Sequence, residues 1–317
     1  MIEYNNGLYV PDLDLWLDAR RVKDFSFVSH AHTDHATRHR RVLATPETLT
    51  LLEYRRGKTQ GKPAEYNQPL NIKDHQVTLF PAGHILGSAQ ILVEGEQRLV
   101  YTGDFKLRPG VCAQPAEVKS CDILVMECTF GLPHYLFPPR EKTKERLILF
   151  IKKTLSEGLT PVVLGYTLGK GQEALKIVGD AGYKAVVHDA IYQVARIYEK
   201  LGVEFEPYQK YPGTDLEGKV VVAPTHMNRQ QLQADLGRCR TAYLTGWGLD
   251  PDRRFALGVD LVLPLSDHAD FNELVEYVHQ ANPRKIFTVH GFPQFAARLR
   301  DLGFDARHLP EKQLSLF

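Results

Sequence analysis

At 317 residues, 43% of them hydrophobic, the chain is long enough for one large or two ordinary domains with buried cores, which excludes disorder as the default state. A net charge of +1 says nothing by itself about a polyanionic partner, because steering depends on where the charges sit. No apolar run approaches the roughly eighteen residues of a membrane span, and Met1-Ile2-Glu3-Tyr4 lacks a basic-then-apolar leader, so a cytoplasmic protein without membrane contact is expected.

Short apolar runs bounded by Gly, Pro or Asp predict strands at Leu13 to Leu17, Phe25 to Ser29, Val77 to Phe80, Ala89 to Val93, Leu99 to Thr102 and Ile123 to Met126. Between them, Thr45-Pro46 opens a helix predicted over Glu47 to Arg56. From about Pro138 the texture changes to alternating helix and strand, with helices over Lys144 to Leu155, from Gln172, and over Tyr192 to Leu201. The intervening strands are Pro161 to Leu164, Ala185 to Val187, Val220 to Ala223 and Ala242 to Thr245, the pattern of a parallel α/β sheet. A last strand-helix-strand-helix stretch begins near Leu261. The layout is a β-rich domain interrupted by an α/β insertion and completed by the C-terminal stretch. Cys112, Cys121, Cys128 and Cys239 are scattered, which argues against a disulfide framework or a Cys-rich zinc site. Two basic patches stand out, Arg38-His39-Arg40-Arg41 and Arg55-Arg56-Gly57-Lys58; either reads equally well as a solvated face.

The chemistry concentrates after the second strand. His30-Ala31-His32-Thr33-Asp34-His35 puts three imidazoles and a carboxylate in six residues, donors that suit zinc, and a strand followed by a tight loop aims them at neighbouring ions. His84, between Gly83 and Gly87, and Asp104, after Gly103, also follow strands, where functional residues of layered folds gather. Taken singly, the first is a turn histidine and the second a turn cap; together with the cluster they complete two sites.

His30-x-His32-x-Asp34-His35, His84 and Asp104 resemble the metallo-β-lactamase superfamily signature, with Asp18 matching its early orienting aspartate. The resemblance implies an αββα sandwich and two zinc ions, with Mn2+ as the alternative metal. His30, His32, His84 and Asp104 would hold one ion; Asp34, His35, Asp104 and a further histidine would hold the other. Met126-Glu127-Cys128-Thr129-Phe130-Gly131, Ser266-Asp267-His268-Ala269-Asp270 and Val289-His290-Gly291 resemble the three additional motifs of the β-CASP nucleases. That likeness makes His290 the remaining ligand, places His268 at the leaving group with Glu127 orienting it, and joins Asp34 to them as a catalytic residue. It implies residues 1–140 as the first part of the sandwich, 141–255 as the β-CASP insertion and 256–312 as its C-terminal part. Within that group, Ala44-Thr45-Pro46-Glu47-Thr48, Pro81-Ala82-Gly83-His84, Thr129-Phe130-Gly131-Leu132-Pro133 and Leu168-Gly169-Lys170 are similar to the compact bacterial DNA ligase-associated exonucleases. His290 departs from the valine of the Artemis type.

The expected activity is phosphodiester hydrolysis, with DNA as the substrate of a repair exonuclease acting 5′ to 3′ on single strands. RNA processing is the alternative; thioester or lactone hydrolysis and a non-catalytic scaffold rank lower. Gly165, Tyr166, Gly169 and Lys170 join a strand to a helix and are expected to contact nucleic acid, by backbone N–H groups and by stacking. Finally, Gln313-Leu314-Ser315-Leu316-Phe317 looks like the linear motif that docks bacterial repair proteins on the DNA sliding clamp, with Gln313, Leu314, Leu316 and Phe317 as contacts. A tail packed on its own domain is the alternative, and Pro310 with the charged pair Glu311-Lys312 favours the clamp motif over it. A functional link to a DNA ligase follows from the subfamily likeness.

Overall fold

Successive side chains of a strand point to opposite faces, and along Ile91-Leu92-Val93, Leu99-Val100-Tyr101 and Leu124-Val125-Met126 every position is both apolar and buried. Such strands belong to a sheet covered on both sides. The computed structural model describes residues 2–4, 7–211, 215–227, 234, 236–250, 252 and 256–309; the expected clamp motif at 313–317 lies outside the described residues. Two compact units result, Met1–Leu136 with His268–Phe317, and Phe137–Asp267.

The first unit has two sheets. One runs in sequence order through β1 (Glu3–Tyr4), β2 (Leu8–Val10), β3 (Leu15–Leu17), β4 (Phe25–Phe27), β5 (Arg41–Ala44) and β6 (Gly61–Pro63). The other has the order β19 (Ala306–His308), β18 (Lys285–Gly291), β11 (Ile123–Cys128), β10 (Arg98–Tyr101), β9 (Ala89–Glu94), β8 (His75–Pro81), β7 (Leu70–Ile72). Leu15, Leu17, Phe27 and Leu43 of the first sheet share a core with Leu79, Ile91, Tyr101 and Val125 of the second. The alternate residues Phe80, Leu92, Val100 and Met126 pack instead with Leu274 and Tyr277 of α5 (Phe271–Ala281) and Phe295 and Leu299 of α6 (Gln294–Asp301). Helix α1 (Pro46–Arg56), whose N-terminus Thr45 caps by accepting a hydrogen bond from Thr48 N, sets Leu49 against Gly61 of β6. This is the expected αββα sandwich.

The second unit is a parallel sheet in the order β14 (Tyr208–Tyr211), β13 (Ala185–His188), β15 (Val220–Pro224), β12 (Thr160–Gly165), β16 (Cys239–Thr245), β17 (Leu261–Pro264). Val163, Val187, Val222 and Leu244 pack against α2 (Arg140–Ser156), α3 (Lys170–Asp180) and α4 (Asp189–Lys200), while Val162, Leu164, Val221 and Ala223 form a second core. Because β17 pairs with β16, this sheet continues past residue 255, where the expected C-terminal part begins. The chain leaves the first unit after Leu136 and rejoins it at His268, and there Phe271 N donates to Tyr135 O at 3.1 Å.

Departures from the predicted elements have local causes. The strand expected over Leu13 to Leu17 starts only at Leu15, because Pro11–Leu13 forms a 3-10 turn closed by Asp14 at φ 51°. Helix α2 begins at Arg140, ahead of the predicted Lys144, in a polar first turn, and α4 begins at Asp189, ahead of the predicted Tyr192, where His188 caps it through its side chain. Among the described residues no helix is long and apolar enough to cross a membrane.

One buried polar network closes the second sheet. Gln90 is buried, donates to Pro81 O at 2.8 Å and Glu117 O at 2.7 Å, and accepts from Tyr277 OH at 2.6 Å. Replacing Gln90 by Leu leaves two carbonyls and a hydroxyl without these partners, so we expect a loss of about 2–4 kcal/mol in urea unfolding; Tyr277→Phe, which removes only one donor, should cost about 1 kcal/mol.

Candidate metal centre

The site residues collect at one edge because the strands that deliver them run the same way. β3 and β4 are parallel, as are β10, β11 and β18; β8 and β10 share that direction through the antiparallel β9. The carboxyl ends of these strands lead to Asp18, His30, His84, Asp104, Glu127 and His290. Two glycines make the approach. Gly83 has φ +76° and Gly103 φ +54°, and a Cβ on either would lie 2.2 Å from Lys106 O or 2.5 Å from Ser29 Cβ, so no side chain fits directly before His84 or Asp104.

Asp104 Oδ2 is the convergence point. It lies 3.5 Å from His30 Nε2, 3.4 Å from His35 Nε2 and 3.9 Å from His84 Nε2, while His84 Nε2 stands 3.0 Å from His32 Nδ1. Ligand atoms of His30, His32, His84 and Asp104 all fall within 4.8 Å of one another. On the other side of Asp104, His35 is 3.7 Å from Asp34 Oδ2 and its ring centroid is 5.0 Å from that of His290. The expected ligands are thus brought together.

Several contacts show that a cation fits here. His30 Nδ1 is engaged with Ser29 Oγ at 2.9 Å, while His30 Nε2 is fully buried with no hydrogen-bond partner among the described residues. A buried polar atom left in that state is costly; a metal would satisfy it, and the imidazole and carboxylate donors are those zinc takes. Electrostatics agree. Burial and the neighbouring histidines hold the His30 imidazole well below its ordinary value. Burial also disfavours charge on His35, but Asp104 and Asp18 outweigh it and push that ring up to about 10.

Asp18 orients the first loop. At φ 45° its buried carboxylate accepts from Ser29 N (2.7 Å), Ser29 Oγ (2.6 Å), His35 Nδ1 (2.8 Å) and Tyr101 OH (2.8 Å). Holding His35 by Nδ1 leaves Nε2 to face Asp104, the arrangement by which an outer carboxylate fixes a ligating imidazole. Ser29 and Tyr101 escape a sequence reading, since each looks like an ordinary strand residue.

A second pair adjoins the cluster. His268 Nδ1 is 2.9 Å from Glu127 Oε2 and 3.9 Å from Asp104 Oδ2. Glu127 is buried, which would raise its pKa, yet His268, Thr129 Oγ1 and Phe105 N hold it lowered and ionised. A bulge makes room: β11 and β18 pair Glu127 with Val289 and then Cys128 with Gly291, leaving His290 as the extra residue at φ 49°. The loops are tied behind the site, with Ala269 N donating to Phe105 O at 2.7 Å and Arg108 pairing with Asp270 and, at 3.0 Å, Glu273.

The groups expected to contact nucleic acid in the second unit are mostly engaged within their own turn. Lys170 is buried and its Nζ lies 2.9 Å from Asp267 Oδ1. Gly169 N donates to Gln172 Oε1 at 2.8 Å, and a Cβ on Gly165 would sit 3.0 Å from Lys170 Cγ. These groups serve the turn itself, because a buried ammonium and a buried N–H must be paired inside the protein. Tyr166, 53% exposed, is the one of the four presented to solvent.

Comparison with known proteins bears on the same features. Residues 257–310 match the Zn-dependent metallo-hydrolase RNA specificity domain. The chain is 38% identical over 324 residues to the "Probable DNA ligase" of Opitutus terrae, in an alignment taking in 99% of this chain and 32% of that protein, so it spans about a third of that relative's length. It is 25% identical over 337 residues to the 5′ exonuclease Apollo of Gallus gallus, covering 96% of this chain and 68% of that one. A crystal structure of a protein of unknown function from Enterococcus faecalis shares the fold, with a TM-score of 0.64 at 17% identity over 92% of this chain and 81% of that one. Sandwich and His/Asp cluster together define the metallo-hydrolase class. Within it, the chain resembles the metallo-β-lactamase/β-CASP nucleases over nearly its whole length.

Zinc entering the metal-stripped protein must displace the proton that His35 carries below pH about 10. Affinity should therefore rise by about tenfold per pH unit below that value, with proton release seen in calorimetry across buffers; a pH-independent affinity would contradict the assignment. Asp18→Asn should lower zinc affinity by about 10- to 100-fold, measured by competition with a chelating dye.

Proposed function

We propose that this chain is a two-zinc phosphodiesterase, a DNA exonuclease of repair that works from the 5′ ends of single strands in the cytoplasm. One ion would be held by His30, His32, His84 and Asp104, the other by Asp34, His35, Asp104 and His290. The observation that carries the reading is the Glu127–His268 pair, 2.9 Å apart and directly beside Asp104. Bound zinc would supply charge neutralisation at the phosphodiester and a water of lowered pKa.

The chain's own residues supply the rest. Glu127 accepts the Nδ1 proton of His268 and so fixes the ring with Nε2 as the exchangeable position. His268 then passes a proton from Nε2 to the departing sugar oxygen, leaving a 5′-phosphate on the other product. Asp34, its side chain 54% exposed, would take part in holding the second ion. Action from a 5′ end is favoured by the name of the Apollo relative, a 5′ exonuclease, and DNA together with a link to ligation by that of the Opitutus relative, a probable DNA ligase. Docking on a sliding clamp through Gln313, Leu314, Leu316 and Phe317 belongs to the same repair reading. RNA is the second reading, favoured by the RNA-specificity description matched by residues 257–310.

Zinc-loaded protein should release mononucleotides from 5′-labelled single-stranded DNA faster than from matched RNA, with Asp104→Ala inactive; the reverse preference would make RNA the substrate. His268→Ala should retain its metal while turnover falls by about 10²- to 10⁴-fold. Undiminished turnover in that variant would remove His268 as the acid.

A further inference from the structure

The basic patch at the end of α1 is engaged with the metal-binding loop. Arg55 Nη1 donates to Ala31 O and Nη2 to Thr33 Oγ1, both at 2.6 Å, and Arg56 Nη2 donates to Thr33 O at 3.3 Å. Ala31 and Thr33 are the residues interleaved between His30, His32 and Asp34. Ala31 is fully buried, and a carbonyl there needs a donor; the guanidinium fork supplies it from Nη1 and reaches a second acceptor from Nη2, a fixed two-nitrogen span that a lysine's single nitrogen lacks.

The other end of the same helix holds the other loop. Thr45 Oγ1 and Thr48 Oγ1 both donate to Gly87 O, at 2.7 and 2.8 Å, within the turn that carries His84. Gly87, at φ +78°, fits so closely that a Cβ would stand 2.6 Å from Glu47 Cβ. One helix therefore spans two ligand-bearing loops that are 52 residues apart in sequence, as measured between His32 and His84.

We infer that α1 is a splint for the metal centre and that Arg55 is a positioning residue for His30, His32 and Asp34, acting through Ala31 and Thr33 rather than on a nucleic-acid phosphate. This rests on the reading of the cluster as a zinc site. The sign of the effect separates the roles. A guanidinium near a cation site repels the cation, so if charge alone mattered its removal would tighten zinc binding. Loss of an outer group that orients ligands weakens it, by about tenfold or more. A phosphate contact would leave zinc unmoved and reduce the salt dependence of DNA binding by about one unit of slope.

The test is calorimetric titration of zinc into the metal-stripped full chain, for the wild type, Arg55→Ala, Arg55→Lys and Thr33→Val. The salt dependence of binding to a fluorescent single-stranded oligonucleotide is measured in parallel. We expect Arg55→Ala to lose about tenfold in zinc affinity with the salt slope unchanged, Arg55→Lys to fall between it and the wild type, and Thr33→Val, which keeps shape and charge, to move in the same direction. Zinc binding by Arg55→Ala equal to or tighter than wild type overturns the splint. A lowered salt slope with unchanged zinc affinity overturns it in favour of phosphate contact. Failure of the wild type to bind zinc would instead overturn the metal reading on which it rests.

Discussion

The metal cluster depends on a single buried carboxylate. Asp18 gathers hydrogen bonds from Ser29, His35 and Tyr101, so it joins the end of β3, the loop after β4 and the end of β10. These elements come from the two sheets that face each other across the first core. A charged group is tolerated there because its acceptor sites are engaged by donors. Its lowered pKa has that origin: burial opposes ionisation, and His35 together with the Ser29 hydrogen bonds prevails.

Around this anchor the cluster is electrostatically unbalanced without a cation. Asp104 is pushed up by burial and by Glu127 although His35 pulls it down, and His30 is forced towards neutrality beside a His35 that retains its proton. The fold thus crowds four imidazoles at distances of 3.4–3.9 Å around one carboxylate oxygen, an arrangement that a divalent ion relieves. Function here is written as frustration in the protein alone.

Legibility in the sequence followed the range of the interactions. His30, His32, Asp34 and His35 are neighbours in the chain, and His84 and Asp104 each follow a strand and a glycine, so they stand out without a structure. The parallel insertion sheet was readable from apolar runs, whereas the αββα sandwich came from the resemblance that the histidine and aspartate motifs carry. What escaped depends on distant partners: Arg55 reads as a solvated charge until Ala31 is beside it, and Lys170 as a phosphate ligand until Asp267 is seen against it. Strand β14 escaped because its central Gln209 and Lys210 are exposed and polar, and β17 was assigned to the later sandwich because only its pairing with β16 reveals its sheet.

The hydrogen bond from Phe271 N to Tyr135 O, 3.1 Å long, closes the sandwich chain behind the inserted unit, three residues beyond His268. Once that junction is fixed, the entropy of closing the intervening segment grows only with the logarithm of its length, about 0.6 kcal/mol for each doubling. Descent can therefore exchange, enlarge or trim the inserted unit while His268 keeps its place. The sandwich thereby tolerates insertions of different length at little entropic cost.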